Sequence, residues 1–531
     1  MSTKDYSAKL LEMEEVRIEN LEESEKEIVL QISLERRTQI CRHCGAETER
    51  VHDYRIRQVR DLELRGKPLR LLYRRRRYVC PVCGKRFAEQ NTLLLLLASG
   101  DLPDMIRANK GFYSKGFSGM LEDGIAVKLD DLLPEYAPNY WAFLNSDEAS
   151  LKSALVDIDG KLSHIAFAGN FYPSDSPFRN YAGMIVRKDF MDKLDIESIT
   201  TLDEFTEYLS RCKSELGVQT PLMSANNMNE YIWNYGYFTS AFGLPCASNY
   251  QVNGEFHFGA YEPQFKDYLE YMHQLYVDGL FDPNFAVTDN ATAVAAMTNG
   301  TSAAISAMVS RFQVITNAAT EEGFQLTAIP SLTANEGEKA YMSYATAITG
   351  TTFWCFITKK CKDIEAALRF FDYLYTPKGM DLANYGIEGV TYNYDENGNV
   401  VLTDFMAHNP DGFAIDPIAR SYGLVNWSCI HRRAFSENRF PMQEQRDACV
   451  IWADSQYNDY MISYSSIPSD MQAEYTRIWT ELQTYLKEHI ANFISGTESL
   501  DNFDAYIDGL RQLGMDRYIE IMQAAIDPYF D

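Results

Sequence analysis

FAEQNTLLLLLASGDLPD, residues 87–104, decides how the chain is read, because two sequences of different character meet inside it. Upstream lie two Cys-x-x-Cys pairs and a run of arginines. Downstream, the rest of the 531 residues is acidic, rich in aromatics and contains neither feature. The five leucines 93–97, with Gly100 where a helix C-cap tolerates positive φ and Pro103 soon after, predict the last turns of a buried helix. Five leucines fall far short of the about 20 apolar residues needed to cross a bilayer, so no transmembrane segment is expected.

Charge divides the chain at the same place. Residues 34–90 hold 16 Lys/Arg against 7 Asp/Glu, whereas the whole chain carries −26. Such asymmetry implies different partners for the two parts: a polyanion suits the basic one, and nucleic acid would be repelled by the acidic one. The length implies more than one domain. Aromatics, with 34 Tyr and 29 Phe, suit a protein that grips ligands between flat faces, and serve equally as core. Six cysteines (Cys212, Cys246, Cys355, Cys361, Cys429, Cys449) lack any framework spacing, which argues against a disulfide scaffold. The start, MSTKDYSAKLLEMEEV, lacks a basic segment followed by an apolar run, so the chain as written is expected in the cytoplasm.

Residues 14–20 and 28–34 alternate apolar and polar around the charged break EESEKE, predicting a β-hairpin. Val59, Leu62 and Leu64 alternate with charges before Arg65-Gly66-Lys67-Pro68, as do Leu69, Leu71 and Tyr73 after it, which predicts a second. Cys41-Arg-His-Cys44-Gly45 and Cys80-Pro-Val-Cys83-Gly84 each make a tight turn aiming two thiolates at one point. Brought together, they form a tetrahedral four-sulfur Zn2+ site with no open position, hence a structural one. His43 and His52 fit surface or supporting positions better than ligand positions. Arg74, Arg75, Arg76 and Arg77 put arginines on both faces of one strand. Phosphate neutralisation and a merely solvated basic edge explain this run equally well.

HDYR…VRDLELRGKPLRLLYRRRRYVCPVCGKRFAE, with CRHCG ahead of it, resembles the N-terminal zinc-binding domain of ISL-type insertion-sequence transposases over about residues 10–90. That resemblance implies zinc ligation by Cys41, Cys44, Cys80 and Cys83 and DNA contact by Arg74, Arg75, Arg76 and Arg77. The helix-turn-helix and catalytic core of that family do not follow.

After the seam, strands and helices alternate. LEDGIAVKLDDLLPEYAPN gives a loop and an amphipathic helix stopped at Pro138. GMIVRKDFMDKLDI gives a strand, residues 183–187, entering a helix. TTLDEFTEYLSRCKSEL has a Thr201 N-cap with Glu204 three residues on. QFKDYLEYMHQLYVDGLFDP, NGTSAAISAMVSRF, FQLTAIPSL, TTFWCFIT and IEAALRFFDYLYT continue the pattern, which predicts an α/β fold with helices on both faces of a sheet. No nucleotide, esterase or metalloprotease motif is present, so nothing points to an enzyme. The loop Asn393-Tyr-Asp395-Glu-Asn397-Gly398-Asn399 spaces oxygens as calcium loops do, but lacks the terminal glutamate; a turn between strands 390–394 and 400–403 fits it better.

LASGDLPD at 97–104, LEDGIAVKLDDLLPEYAPN at 121–139, GMIVRKDFMDKLDIESITTLDEF at 183–205, YVDGLFDPNF at 276–285, GIEGVTYNYDENGNV at 386–400 and FISGTESLDNFDAYIDGLRQLGMDRYIEIMQAAID at 493–527 resemble the extracellular solute-binding proteins of ABC-type sugar importers. The likeness runs from about residue 92 to the end. It implies a two-lobed periplasmic-binding-protein-like fold of type II, a carbohydrate ligand, an ABC permease partner and no catalysis. Aromatic faces would cover a pyranose while polar groups take its hydroxyls. The candidates are Asp175, Trp233, Ser310, Arg311, Trp354, Glu388 and Trp427; a core role explains any one tryptophan as well as a ligand role.

The expected organisation is a zinc-binding domain at 1–90 and a solute-binding region at 91–531. Its N-terminal lobe takes about 91–170 and 345–385, and its C-terminal lobe 171–344 and 386–531. In that family LASGDLPD follows a signal peptide, a lipid-bearing cysteine and the first strand–helix–strand of the lobe, and members are exported and lipid-anchored. Here the zinc module stands in their place, so the N-terminal lobe is expected to be truncated. The arrangement looks like an insertion-sequence fragment fused in frame to a receptor gene. The competing reading is a DNA-binding zinc protein with a passive C-terminal part, or a fusion without function.

Overall fold

The computed structural model describes residues 16–530. Outside the description are 89–101, 146–164, 167–176, 225–235, 343–352, 408–421 and 423–439, with shorter gaps at 25–27, 35, 37, 41–46, 65–66, 110–112, 114–115, 463–464, 466 and 469. The predicted leucine helix at 93–97 lies in one of those segments. The chain divides into two compact units: residues 1–106 with 358–362, and residues 107–357 with 363–531.

In the first unit both predicted hairpins form. β1 (Val16–Glu23) pairs antiparallel with β2 (Ile28–Leu34), and β3 (Val51–Leu64) with β4 (Lys67–Val79). β4 is the spine, since β2 runs parallel to its first half and β5 (Arg86–Ala88) antiparallel to its end. The order β1-β2-β4-β3 brings Leu30 opposite Leu71 and Ile32 opposite Tyr73; Leu30, Ile32 and Tyr73 are buried. The alternation of the sequence thus fixes the register, because a one-residue slip would turn these side chains to water.

The second unit is built on a four-stranded sheet. β6 (Ala182–Arg187) lies between β8 (Ala304–Met308) and β9 (Leu326–Ile329), antiparallel to both, and β7 (Leu222–Met223) runs parallel to β8. β6 is buried along its whole length, as expected of a strand covered on both faces. It feeds α1 (Lys188–Lys193), and α2 (Leu202–Leu216) follows. The predicted cap of α2 is a full capping box. The Glu204 N–H donates to Thr201 Oγ1 at 3.3 Å, and Glu204 Oε2 accepts from the Thr201 N–H at 3.0 Å.

Arg187, at the end of β6, is wholly buried and bidentate to Asp189 at 2.7 and 2.8 Å, with Nη2 also donating to Glu321 at 2.7 Å. The rings of Phe190 and Phe324 stand 4.0 and 4.3 Å from its guanidinium carbon. Burial alone would raise the Asp189 carboxyl. The hydrogen bonds and charge of Arg187 outweigh it and hold the group below the usual carboxylate range.

Later elements are α3 (Asn290–Thr298), α4 (Ser310–Ala318), the strand β10 (Phe353–Ile357), α5 (Gln443–Ala453) and the single turn α6 (Tyr457–Tyr460). The amphipathic helix expected to stop at Pro138 does so but is a single turn, Leu133–Tyr136, and Pro138 also opens the next helix, Pro138–Leu144. Pro134 occupies the first turn, where its missing N–H costs nothing, so the helix begins there and its leucines upstream stay outside it.

Candidate functional site

The topology of the sheet marks one edge. β7, β8 and β9 run the same way and β6 against them, so three carboxyl ends and the amino end of β6 meet there. Ligands of open α/β sheets gather outside such carboxyl ends. The described chain at this rim comprises the turn Pro177–Arg179 before β6, buried Ser224 after β7, Val309 to Arg311 after β8, and Pro330 and buried Ser331 after β9. α5 bridges two of the ends. Its Gln445 Nε2 donates to the Val309 carbonyl at 3.0 Å, and Trp452 Nε1 donates to the Ile329 carbonyl at 3.2 Å. α6 follows, its Asn458 accepting at 3.2 Å from Arg179 Nη1. Tyr341 meets Tyr460 edge-on at 5.4 Å.

Two of the predicted ligand residues come to this rim. Ser310 is exposed at the start of α4, and Arg311 is half-buried beside it. Arg311 also lines a groove of about 520 Å³ between α3 and α4, with Asn290, Val294, Thr298, Val314 and Ala318. Trp354 lies in β10, its backbone opposite Ala166, and its side chain falls outside the description. Glu388 is exposed in the turn before the hairpin Tyr392–Tyr394, and none of its described contacts ties it to the rim. Asp175, Trp233 and Trp427 lie outside the described residues. Sequence reasoning missed Arg179 and Asn458, which are 279 positions apart and carry no local motif.

In the first unit the turn Cys80-Pro81-Val82-Cys83-Gly84 is formed. Cys80 is buried and Cys83 exposed. The Cys83 N–H points at Cys80 Sγ at 3.5 Å, the Gly84 N–H donates to the Cys80 carbonyl at 3.0 Å, and the Cys80 N–H to the Lys85 carbonyl at 3.0 Å. An N–H aimed at sulfur favours a thiolate, the form that binds metal. Gly84 takes φ +67, which L side chains rarely adopt. This half of the site therefore fits a structural zinc. Cys41 and Cys44, the other half, lie outside the described residues, as does His43. No group of three or more metal-ligating side chains occurs among the described residues. His52 pairs with Asp53 at 3.0 Å. Four other thiols behave otherwise: burial pushes Cys212, Cys355 and Cys449 up to about 12 and Cys246 to about 11.

The arginine run is engaged within its own sheet. Arg74 pairs with Glu19 at 3.5 Å and lies 4.1 Å over the ring of Tyr54, Arg77 pairs with Asp53 at 3.2 Å, and Arg75 and Arg76 are not free either. The expectation of DNA contact by Arg74, Arg75, Arg76 and Arg77 finds no support here, since Arg74 and Arg77 are paired with carboxylates of their own sheet. The calcium-like loop is a hairpin turn, as the sequence favoured. Asp395 accepts from the N–H of Asn397 at 2.9 Å and of Asn399 at 2.7 Å, and from Asn399 Nδ2 at 3.0 Å.

Residues 87–381 match the family described as bacterial extracellular solute-binding protein. The chain belongs to this family. Its members are binding proteins without a reaction of their own. Residues 37–83 of this solute-binding protein match a second family, the zinc-finger of transposase IS204/IS1001/IS1096/IS1165, so the two likenesses abut between Cys83 and Phe87. The polygalacturonan/rhamnogalacturonan-binding protein YtcQ of Bacillus subtilis (strain 168) is 24% identical over 316 residues, 58% of this chain and 60% of that relative's length. The fold is similar to that of FusA, an ABC-transporter substrate-binding protein of S. pneumoniae, in complex with kestose, with TM-score 0.65 and 19% identity over 82% of this chain and 89% of that one. It is also similar to the alginate-binding protein AlgQ2 without calcium ion, with TM-score 0.64 and 20% identity over 87% and 92%. The fold is thus the expected two-lobed α/β one. No helix among the described residues is long and apolar enough to cross a membrane.

Proposed function

We propose that this solute-binding protein takes up an oligosaccharide at the strand-end rim and delivers it to an ABC-type permease. The observation that carries the reading is the family match, which begins at Phe87 and includes β6 to β9. The rim supports it with half-buried tyrosines, amides and hydroxyls in one place. Flat rings cover the apolar face of a pyranose, and paired donors and acceptors take its hydroxyls. The names of YtcQ, AlgQ2 and FusA's ligand make galacturonan, alginate and fructan fragments the sugars to try first. A thermal-shift screen with short oligomers of these three tests the reading: a rise in Tm with one of them supports it, and no shift at millimolar sugar overturns it.

We further propose that Cys41, Cys44, Cys80 and Cys83 hold one zinc ion that staples the first unit. The family match over 37–83 and the ready-formed Cys80–Cys83 turn support this. Bound zinc would supply a structural cross-link and no chemistry on a substrate. Metal analysis of the purified chain should give one zinc, and none would remove the assignment.

A further inference from the structure

We infer that Asn458 is a ligand-contacting residue and that Arg179 is the group that orients it; the inference rests on the sugar-binding reading above. Arg179 closes the turn Pro177–Arg179, three residues before Ala182, and Ala182 pairs with Met308 at the carboxyl end of β8. It is wholly buried. Its Nη1 donates to Asn458 Oδ1 at 3.2 Å, and its guanidinium carbon stands 5.2 Å from the centre of the Tyr457 ring.

A guanidinium has donors and no acceptor. It therefore dictates which end of the neighbouring amide faces inward. Oδ1 is turned to Arg179, so Nδ2 with its two donors is turned away. Asn458 is exposed, and no hydrogen bond occupies its Nδ2 among the described residues. Its setting suits a sugar. Tyr460, two residues on, is half-buried against Tyr341, and the exposed carboxylate of Asp459 stands between them in sequence. The turn itself is pinned, because the Asp459 carbonyl accepts from Gln251 Nε2 at 2.7 Å and the Gln456 N–H donates to the Ala340 carbonyl at 2.9 Å. Donors fixed before the ligand arrives lose little freedom on binding.

Asn458 could alternatively be no more than a tie holding α6 to Arg179. Asn458→Asp separates the two roles, since it keeps the acceptor facing Arg179 and removes both outward donors. With the full zinc-containing chain, calorimetric titration with kestose and with a short oligogalacturonide is expected to give about tenfold weaker binding for Asn458→Asp, at an unchanged or higher Tm. Kestose is neutral, so a loss there does not come from charge repulsion. Arg179→Lys should weaken binding in the wild-type background and add no further loss to Asn458→Asp, as expected of a residue that acts only through Asn458. Unchanged affinity of Asn458→Asp for every sugar the wild type binds overturns the inference and leaves the sugar-binding reading intact. Additive losses overturn the positioning role of Arg179. Failure of the wild type to bind kestose, an oligogalacturonide and an alginate oligomer alike overturns the reading, and the inference with it.

Discussion

Trp452 of α5 packs directly on the backbone of Gly183 in β6: a Cβ at Gly183 would stand 2.2 Å from the indole Nε1. The same nitrogen donates to the Ile329 carbonyl at the end of β9. One ring thus fixes the spacing between α5 and two strands at the rim, and only glycine admits it. Gly183→Ala should push the indole out, cost about 1–3 kcal/mol and change the intrinsic fluorescence. Urea unfolding with wild-type stability would contradict this.

The buried pair of Arg187 and Asp189 makes stability depend on pH. A carboxyl held below its ordinary value contributes stability that is present above its unfolded pKa, about 4, and lost as pH falls through the folded one. Asp189→Asn should therefore cost about 3 kcal/mol at pH 6. The gap to wild type should shrink as denaturant unfolding is repeated from pH 4 downwards. A gap that stays constant down to the lowest pH would contradict the assignment.

Gly84 makes the second half of the proposed zinc site possible. Its positive φ costs an L-residue about 1–2 kcal/mol, so Gly84→Ala should weaken zinc by about tenfold. Competition with a chromogenic chelator reads this. Equal zinc retention by the variant and the wild type would contradict it.

The capping box of α2 is expected to be worth about 1 kcal/mol, lost in Thr201→Ala. Thermal unfolding checks it, and an unchanged Tm would mean that water replaces the Thr201 hydroxyl at no cost.

What the sequence revealed follows from how far apart the interacting residues lie. The two hairpins, the Thr201 cap and the Asp395 turn are written in a few neighbouring residues, and each forms as read. The helix before Pro138 stops where the sequence indicated, but that Pro138 also opens the next helix is a positional effect of its place in a first turn, which composition does not show. The rim was only partly legible. Ser310 and Arg311 follow a recognisable strand, but Arg179 and Asn458 meet only after the chain has returned across the sheet. The arginine run stayed ambiguous, because charge alone does not say whether Glu19 and Asp53 are in reach.

Native mass spectrometry of the full chain, with and without short oligosaccharides of the galacturonan, alginate and fructan classes, tests the central claim most directly. The account predicts one zinc per polypeptide and, with a matching sugar present, one bound oligosaccharide on the same species. A spectrum that holds the bare polypeptide mass with every sugar would contradict it.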